Sequence, residues 1–286
     1  MNIATGIVAC VLLATSPAPQ QERESNGAAS TSRPARAKPL AFSDATEPKG
    51  ATFLRSAPGD DYLKRLRTQF ELDVVVAGEK SDYGRVRAIC EWARHRWEHN
   101  GDNQPEKSDP ISILEEAAAE GKRFRCVEYA IVVDGALESL GIRARVLGLK
   151  TADVETRERG AGHVVAEAYL ADKKKWVMID GQFDVIPTLG GEPLNAVELQ
   201  RALAKDARGL GVVTRSDADA DTYFAWVAPY LFYFDTTFDG RFGVERAPGK
   251  LMLVPIGAKD PTVFQRKWPI GDVTYTHSVA TFYAAP

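Results

Sequence analysis

Three cysteines in 286 residues are too few for a disulfide framework. No run of about 18 uninterrupted apolar residues occurs, which excludes a bundle of membrane helices. Neither sign of charge dominates. With 36 basic and 39 acidic side chains the formal balance is −3, so no nucleic acid or anionic lipid partner is expected. Glycine and proline, 23 and 16 residues, show no collagen-like period. No acidic loop with calcium-binding spacing is present. What remains is a chain with 44% hydrophobic and 9% aromatic residues, enough for a sizeable core.

The first fifty residues stand apart from that core. Ile7 to Leu13 is an apolar run of signal-peptide length, and Ser16-Pro17-Ala18 offers a small-x-small exit. Residues 1–19 are therefore expected to be an export signal, placing the mature chain in the periplasm or outside the cell. Ile7-Val8-Ala9-Cys10 has the form of a lipoprotein box, but it sits too near the start for a full apolar run to precede it. Lipid anchoring at Cys10 is not expected, nor is an integral membrane segment in the mature chain. Residues 20–50, rich in Ser, Ala, Pro, Arg and Glu, lack apolar periodicity and read as a flexible linker.

From residue 51 to 286 one domain is expected, with a core at about 80–185 and a C-terminal elaboration over 186–286. Residues 60–70 suit a short helix. Ser81 caps a longer one from Asp82 to about Asn100, with Val86, Ile89, Cys90, Ala93 and Trp97 on its apolar stripe. Cys90 on that stripe reads as a buried thiol. Asp109-Pro110 opens a helix ending at Gly121, and another runs from Cys126 to Leu140-Gly141. The period then changes to alternation. Ala144–Thr151, Gly162–Leu170 and Lys175–Asp180 read as strands, with a polar loop over 151–162. Further on, Pro193–Lys205 suits a helix, Thr222–Thr237 fits strand or helix, and 250–256 and 272–283 suit strands. Helices followed by hairpin-linked strands indicate an α+β fold, the helices packed on an antiparallel sheet with a mixed C-terminal extension.

Three residues on these elements form a chemical set. Cys126 opens a helix, where unpaired amides and the dipole favour thiolate over thiol. His163 begins one strand and Asp180 ends the next. In an antiparallel pair the start of one strand lies beside the end of its neighbour. The 17 steps between them fit two strands of about seven residues and a short turn. A thiolate attacks an amide carbon, an imidazole shuttles the proton, and a carboxylate fixes the imidazole. The Cys126 amide is placed to donate to the developing oxyanion, with Trp97, Asn100 and Gln182 as equal candidates for a second donor.

The local sequence resembles the bacterial transglutaminase-like superfamily, which has a papain-like fold. The resemblance lies in Gly121-Lys-Arg-Phe-Arg-Cys126-Val-Glu-Tyr, Leu140-Gly-Ile-Arg-Ala-Arg145, Gly162-His163 with Glu167 four residues on, and Trp176 before Asp180. It implies a catalytic triad of Cys126, His163 and Asp180 acting through a thioester. It also implies a peptide or protein substrate, cell-wall peptide included, and no cofactor. Family members include protein cross-linkers, deamidases, peptidases, amide-hydrolysing deglycosylases and inactive binding versions. Hydrolysis is the expected outcome, because water is the default acceptor. Two positions depart from the pattern: Val165 where an aromatic is frequent, and Gly181 where proline often follows the aspartate.

Other residues have plainer readings. Glu167 suits a structural pair with Arg145, and Glu128 a dipole or fold-stabilising role at its helix start. Asp184 is the alternative orienting acid. His95 and His99 have metal-capable spacing but no evident third ligand, so a solvated face is expected and no metal site is assigned. The Lys173–Lys175 run suits a charged turn. The aromatic residues Tyr223, Phe224, Trp226, Tyr230, Phe232, Tyr233 and Phe234 suit core or cleft wall. The rival to an enzyme is a binding module that keeps the fold without the chemistry.

Overall fold

The computed structural model describes residues 37–47 and 52–286. The expected signal over 1–19, Cys10 included, lies outside the described residues. Helices lead: α1 (Asp61–Gln69), α2 (Leu72–Val75), α3 (Asp82–Arg94), α4 (Pro110–Glu120) and α5 (Cys126–Ser139). Then come β1 (Ala144–Lys150), β2 (Gly162–Leu170), β3 (Lys175–Ile179), β4 (Ile186–Leu189), β5 (Glu192–Pro193), α6 (Ala196–Ala204) and β6 (Leu210–Val213). The chain continues through α7 (Ala220–Val227), β7 (Tyr233–Thr237), β8 (Lys250–Leu253), β9 (Val263–Phe264), β10 (Trp268–Pro269), β11 (Val273–Thr276) and α8 (Val279–Phe282). The fold is α+β.

Local chemistry sets the helix starts. Asp60 accepts from the amides of Tyr62 and Leu63 ahead of α1, Ser81 from Gly84 ahead of α3, and Asp109 from Ser112 ahead of α4. Gly121, at φ 62°, ends α4 in the left-handed region. The α3 helix is shorter than its periodicity suggests, ending at Arg94 rather than Asn100. Tertiary contacts compete for the next residues. Trp97 packs its indole on Tyr129 at 4.6 Å and edge-on to Phe124 at 5.6 Å, and the Asn100 amide donates to the Phe124 carbonyl at 2.8 Å. Trp97 stays buried, as the stripe implied, but off the helix.

The main sheet has the order β11-β8-β7-β1-β2-β3. All neighbours are antiparallel except β11 and β8, which are parallel. One face carries Ala144, Ala166, Ala168, Val177 and Ile179 against α5, which is buried nearly all round. The other carries Leu147, Leu149, Val165 and Met178 against α6 and α7. The C-terminal part therefore supplies three strands of the sheet and the cover for its second face.

Two segments read differently from sequence. Thr222–Thr237 holds both α7 and β7, joined by a 3-10 turn at Ala228–Tyr230. Residues 272–283 are β11 and then α8, because Ser278 Oγ accepts from the Thr281 amide and starts a helical turn. Residues 37–47, assigned to the linker by composition, are docked on the sheet end. The Ser43 amide donates to His277, the Val279 amide to Ser43, and the Ile256 amide to Ala41, at 2.7–2.8 Å. Backbone pairing holds this strap, which is why apolar patterning did not reveal it. No helix among the described residues is long and apolar enough to cross a membrane.

Candidate active site

Cys126 is the first residue of α5 and is partly exposed. Buried Phe124 anchors the approach to it. At the third helical position, Glu128 is buried. Its carboxylate accepts from the Arg125 amide at 3.0 Å and pairs with the Arg125 guanidinium at 2.6 Å. This closes the helix start and takes Glu128 away from the thiol, in keeping with a fold-stabilising role.

The register places the other two residues. Ala166 pairs with Ile179, so Val165 stands opposite Asp180, and His163 is two residues along on the same face. His163 and Asp180 are thus diagonal neighbours. His163 Nε2 lies 2.7 Å from Asp180 Oδ2, with both side chains buried. Cys126 lies near enough to the imidazole to act on its proton, with Nε2 already taken by Asp180. Burial pulls the imidazole's proton affinity down. The Asp180 charge, its hydrogen bond and the Cys126 contact more than offset this, raising the pKa from 6.5 to about 10. Of the residues singled out from sequence, His163 and Asp180 are thus brought together at one end of the sheet, with Cys126 at the start of α5 acting on the imidazole.

Asp180 is itself held by three donors. Besides the imidazole, its Oδ2 accepts from the Tyr223 hydroxyl at 2.9 Å, and its Oδ1 from the Gln182 amide at 3.2 Å. Gly181 explains why proline is absent there. A Cβ at this position would stand 2.9 Å from Val133 Cγ2, so α5 presses directly on the chain after Asp180. Asp184 is not the orienting acid. Its Oδ2 accepts from the Arg215 amide and Ser216 hydroxyl, both at 2.9 Å. Cys90 is buried, its thiol donates to the Asp180 carbonyl at 3.7 Å, and burial pushes its pKa well up.

Four aromatic side chains enclose the imidazole. Trp226 is edge-on at 4.8 Å between ring centroids, Tyr230 lies at 6.0 Å and Phe183 at 6.3 Å, while Tyr223 reaches behind to Asp180. The sequence marked the aromatic run but not its address, since only the tertiary fold lays α7 against β2.

A cavity of about 750 Å³ opens beside this group, lined by Trp97, His99, Gln182, Phe183, Arg215 and Asp217 among others. His95 and His99 both line it, off the end of α3 and outside helical spacing. Burial, and then nearby His163, hold the His99 pKa below 6.5. No group of three metal-ligating side chains forms among the described residues. Glu167 pairs with Arg145, as its position suggested.

Residues 72–181 match the family model of the transglutaminase-like superfamily. A search of curated proteins found no match. Among solved structures, red sea bream transglutaminase is 15% identical with a TM-score of 0.37, covering 64% of this chain and 36% of its own. Legionella pneumophila LapG is 12% identical, with a TM-score of 0.32 and coverage of 59% and 93%. A candidate cysteine protease from Cytophaga hutchinsonii is 16% identical, with a TM-score of 0.34 and coverage of 57% and 50%. The chain thus spans half of the Cytophaga protein and 36% of the fish enzyme.

Proposed function

We propose that the protein, whose residues 72–181 match the transglutaminase-like superfamily model, is a cysteine enzyme cleaving amide bonds through a thioester. The observation that carries this reading is buried His163, paired with the Asp180 carboxylate at 2.7 Å and near enough to Cys126 to act on it.

In the proposed reaction the Cys126 thiol gives its proton to His163 Nδ1, and the sulfur attacks the amide carbon. The tetrahedral oxyanion draws on the Cys126 amide at the α5 N-terminus. Of the three candidates for a second donor, Trp97 fits best. Its Nε1 is buried without a partner, whereas the backbone amides of Asn100 and Gln182 already donate to the Phe124 carbonyl and to Asp180 Oδ1. The C–N bond breaks as His163 returns the proton to the leaving amine. Water then attacks the thioester, His163 accepts its proton, and Cys126 is released as the thiol with a free carboxylic acid. With an amine as acceptor the same steps give a new amide. Asp180 holds the imidazole orientation throughout. No cofactor enters these steps.

The roomy cavity at Gln182 and Phe183, which touch Asp180 and His163, suits a peptide or protein substrate, cell-wall peptide included. Export, proposed from Ile7–Leu13, would bring the enzyme to such substrates.

The test is alkylation of the folded protein by iodoacetamide, read by peptide mass spectrometry, with His163→Ala beside the parent. Cys126 should react much faster than buried Cys90, and the variant should slow Cys126 at least tenfold. Equal slow reaction at both cysteines, unchanged in the variant, would support the non-enzymatic binding module. Ammonia release from glutamine peptides, with and without a labelled amine, separates hydrolysis from transfer.

A further inference from the structure

The matched segment stops at residue 181, yet the group it contains is completed from outside. Tyr223 and Trp226 lie on α7, three residues apart and so on one face of the helix. Tyr223 is buried, and its hydroxyl donates to Asp180 Oδ2, the same oxygen that receives His163 Nε2. The Gln182 amide occupies Oδ1. Removing the phenol hydroxyl would leave the carboxylate held only by the imidazole and the Gln182 amide. Trp226, itself partly exposed, stands edge-on to the imidazole at 4.8 Å, flanked by Phe183 at 4.7 Å and Tyr230 at 5.2 Å. This packing blocks ring rotation and keeps water from the His163–Asp180 hydrogen bond.

We infer that Tyr223 and Trp226 are positioning residues for the Asp180–His163 pair, so that proton transfer at Cys126 depends on a helix beyond the superfamily segment. The inference rests on the proposed role of His163 as acid–base. The two residues act through different physics. Tyr223 shares the negative charge of Oδ2. Without its hydroxyl more of that charge faces the imidazolium, which then holds its proton more tightly. Trp226 excludes water. Without it, solvent attenuates both the desolvation of His163 and its coupling to Asp180, and its titration returns toward the free value. The other groups near His163 are the Cys126 thiol, the His99 imidazole and the Tyr230 ring, with Arg157 and Cys126 acting on the Tyr230 hydroxyl. None of these residues is substituted in either variant.

The chain has four histidines, so ¹⁵N-histidine NMR resolves the His163 ring directly. The parent, Tyr223→Phe, Trp226→Ala and Trp226→Phe are titrated, with His163→Ala assigning the signal. Tyr223→Phe should move the His163 titration up by about 0.5 pH unit, the worth of one hydrogen bond. Trp226→Ala should move it down by at least as much, and Trp226→Phe should restore most of the parent value. Trp226→Ala should slow Cys126 alkylation several-fold, whereas Tyr223→Phe, which tightens the imidazolium, should not slow it, and Cys90 should remain protected in both, which reports an intact core. Shifts of the same sign, or none beyond those of His95 and His277, would overturn the inference. That result leaves the triad reading standing. The triad falls only if His163→Ala leaves Cys126 alkylation unchanged.

Discussion

Arg145 and Glu167 face each other across β1 and β2, both buried, with the guanidinium Nε and a terminal nitrogen on one carboxylate oxygen at 3.0 and 2.6 Å. The other oxygen accepts from the Ala196 amide and the Tyr283 hydroxyl. Arg145 also lies over the rings of Trp176, Phe282 and Tyr283 within 4.9 Å, and donates to the Phe282 carbonyl. One ion pair thus ties β1, β2, the start of α6 and the α8 end together. Removing one partner leaves the other charge buried. Glu167→Ala should lower stability by about 3–5 kcal/mol, whereas a double change to apolar residues of similar volume should lower it far less. Urea unfolding of the two variants checks this. Equal losses would mean that packing, not charge, holds this corner.

Asp134 lies inside α5, four residues before Glu138 and near Arg55. Burial, and then Glu138, raise its pKa from 3.8 to about 7, with Arg55 opposing. The folded protein therefore holds a proton that the unfolded chain has released between about pH 4 and 7. The unfolded state binds fewer protons there, so stability falls as pH rises, by up to about 1.4 kcal/mol per pH unit from this group. Asp134→Asn should unfold at a higher urea concentration than the parent at pH 8 and at nearly the same one at pH 4.5. Parallel pH profiles for the two proteins would refute the assignment.

The helix caps were legible because they are local. Ser81, Asp109 and Gly121 act within a turn of themselves, and the structure uses each as its chemistry suggests. Cys126, His163 and Asp180 came from element ends and strand arithmetic, which survive without tertiary detail. What escaped was set by distant partners. The early end of α3 depends on Trp97 finding Phe124 and Tyr129. The docked strap over 37–47 pairs through its backbone, which carries no hydrophobic signature. The role of Tyr223 depends on α7 crossing the second face of the sheet, a placement that no periodicity encodes.

The raised pKa of His163 also has a thermodynamic consequence. The folded state binds this proton more tightly than the unfolded chain. The stability it contributes is fully present below about pH 6.5 and is lost as pH rises toward about 10. Asp180→Asn removes the charge that holds the proton. The parent should therefore lose stability between pH 7 and 10 relative to Asp180→Asn, with the two curves converging on the alkaline side. Calorimetric melting across that range decides it. A constant gap would show that His163 is already neutral at pH 7.

Gly181 gives the sharpest separation of stability from activity. The residue sits between Asp180 and the Gln182 amide that fixes Oδ1, with Val133 of α5 against it. Alanine there brings Cβ to 2.9 Å from Val133 Cγ2 and 3.5 Å from Tyr129 Cβ, so the chain or the helix must shift by a few tenths of an ångström. Such overpacking costs about 1–3 kcal/mol. The shift falls on the carboxylate that orients His163, so Cys126 alkylation should drop more than tenfold while the fold persists. Val133→Ala in the same chain removes the obstructing methyl groups and should recover most of the rate, though it adds a cavity of its own. If the double variant is no faster than Gly181→Ala alone, the contact with α5 is not what positions Asp180.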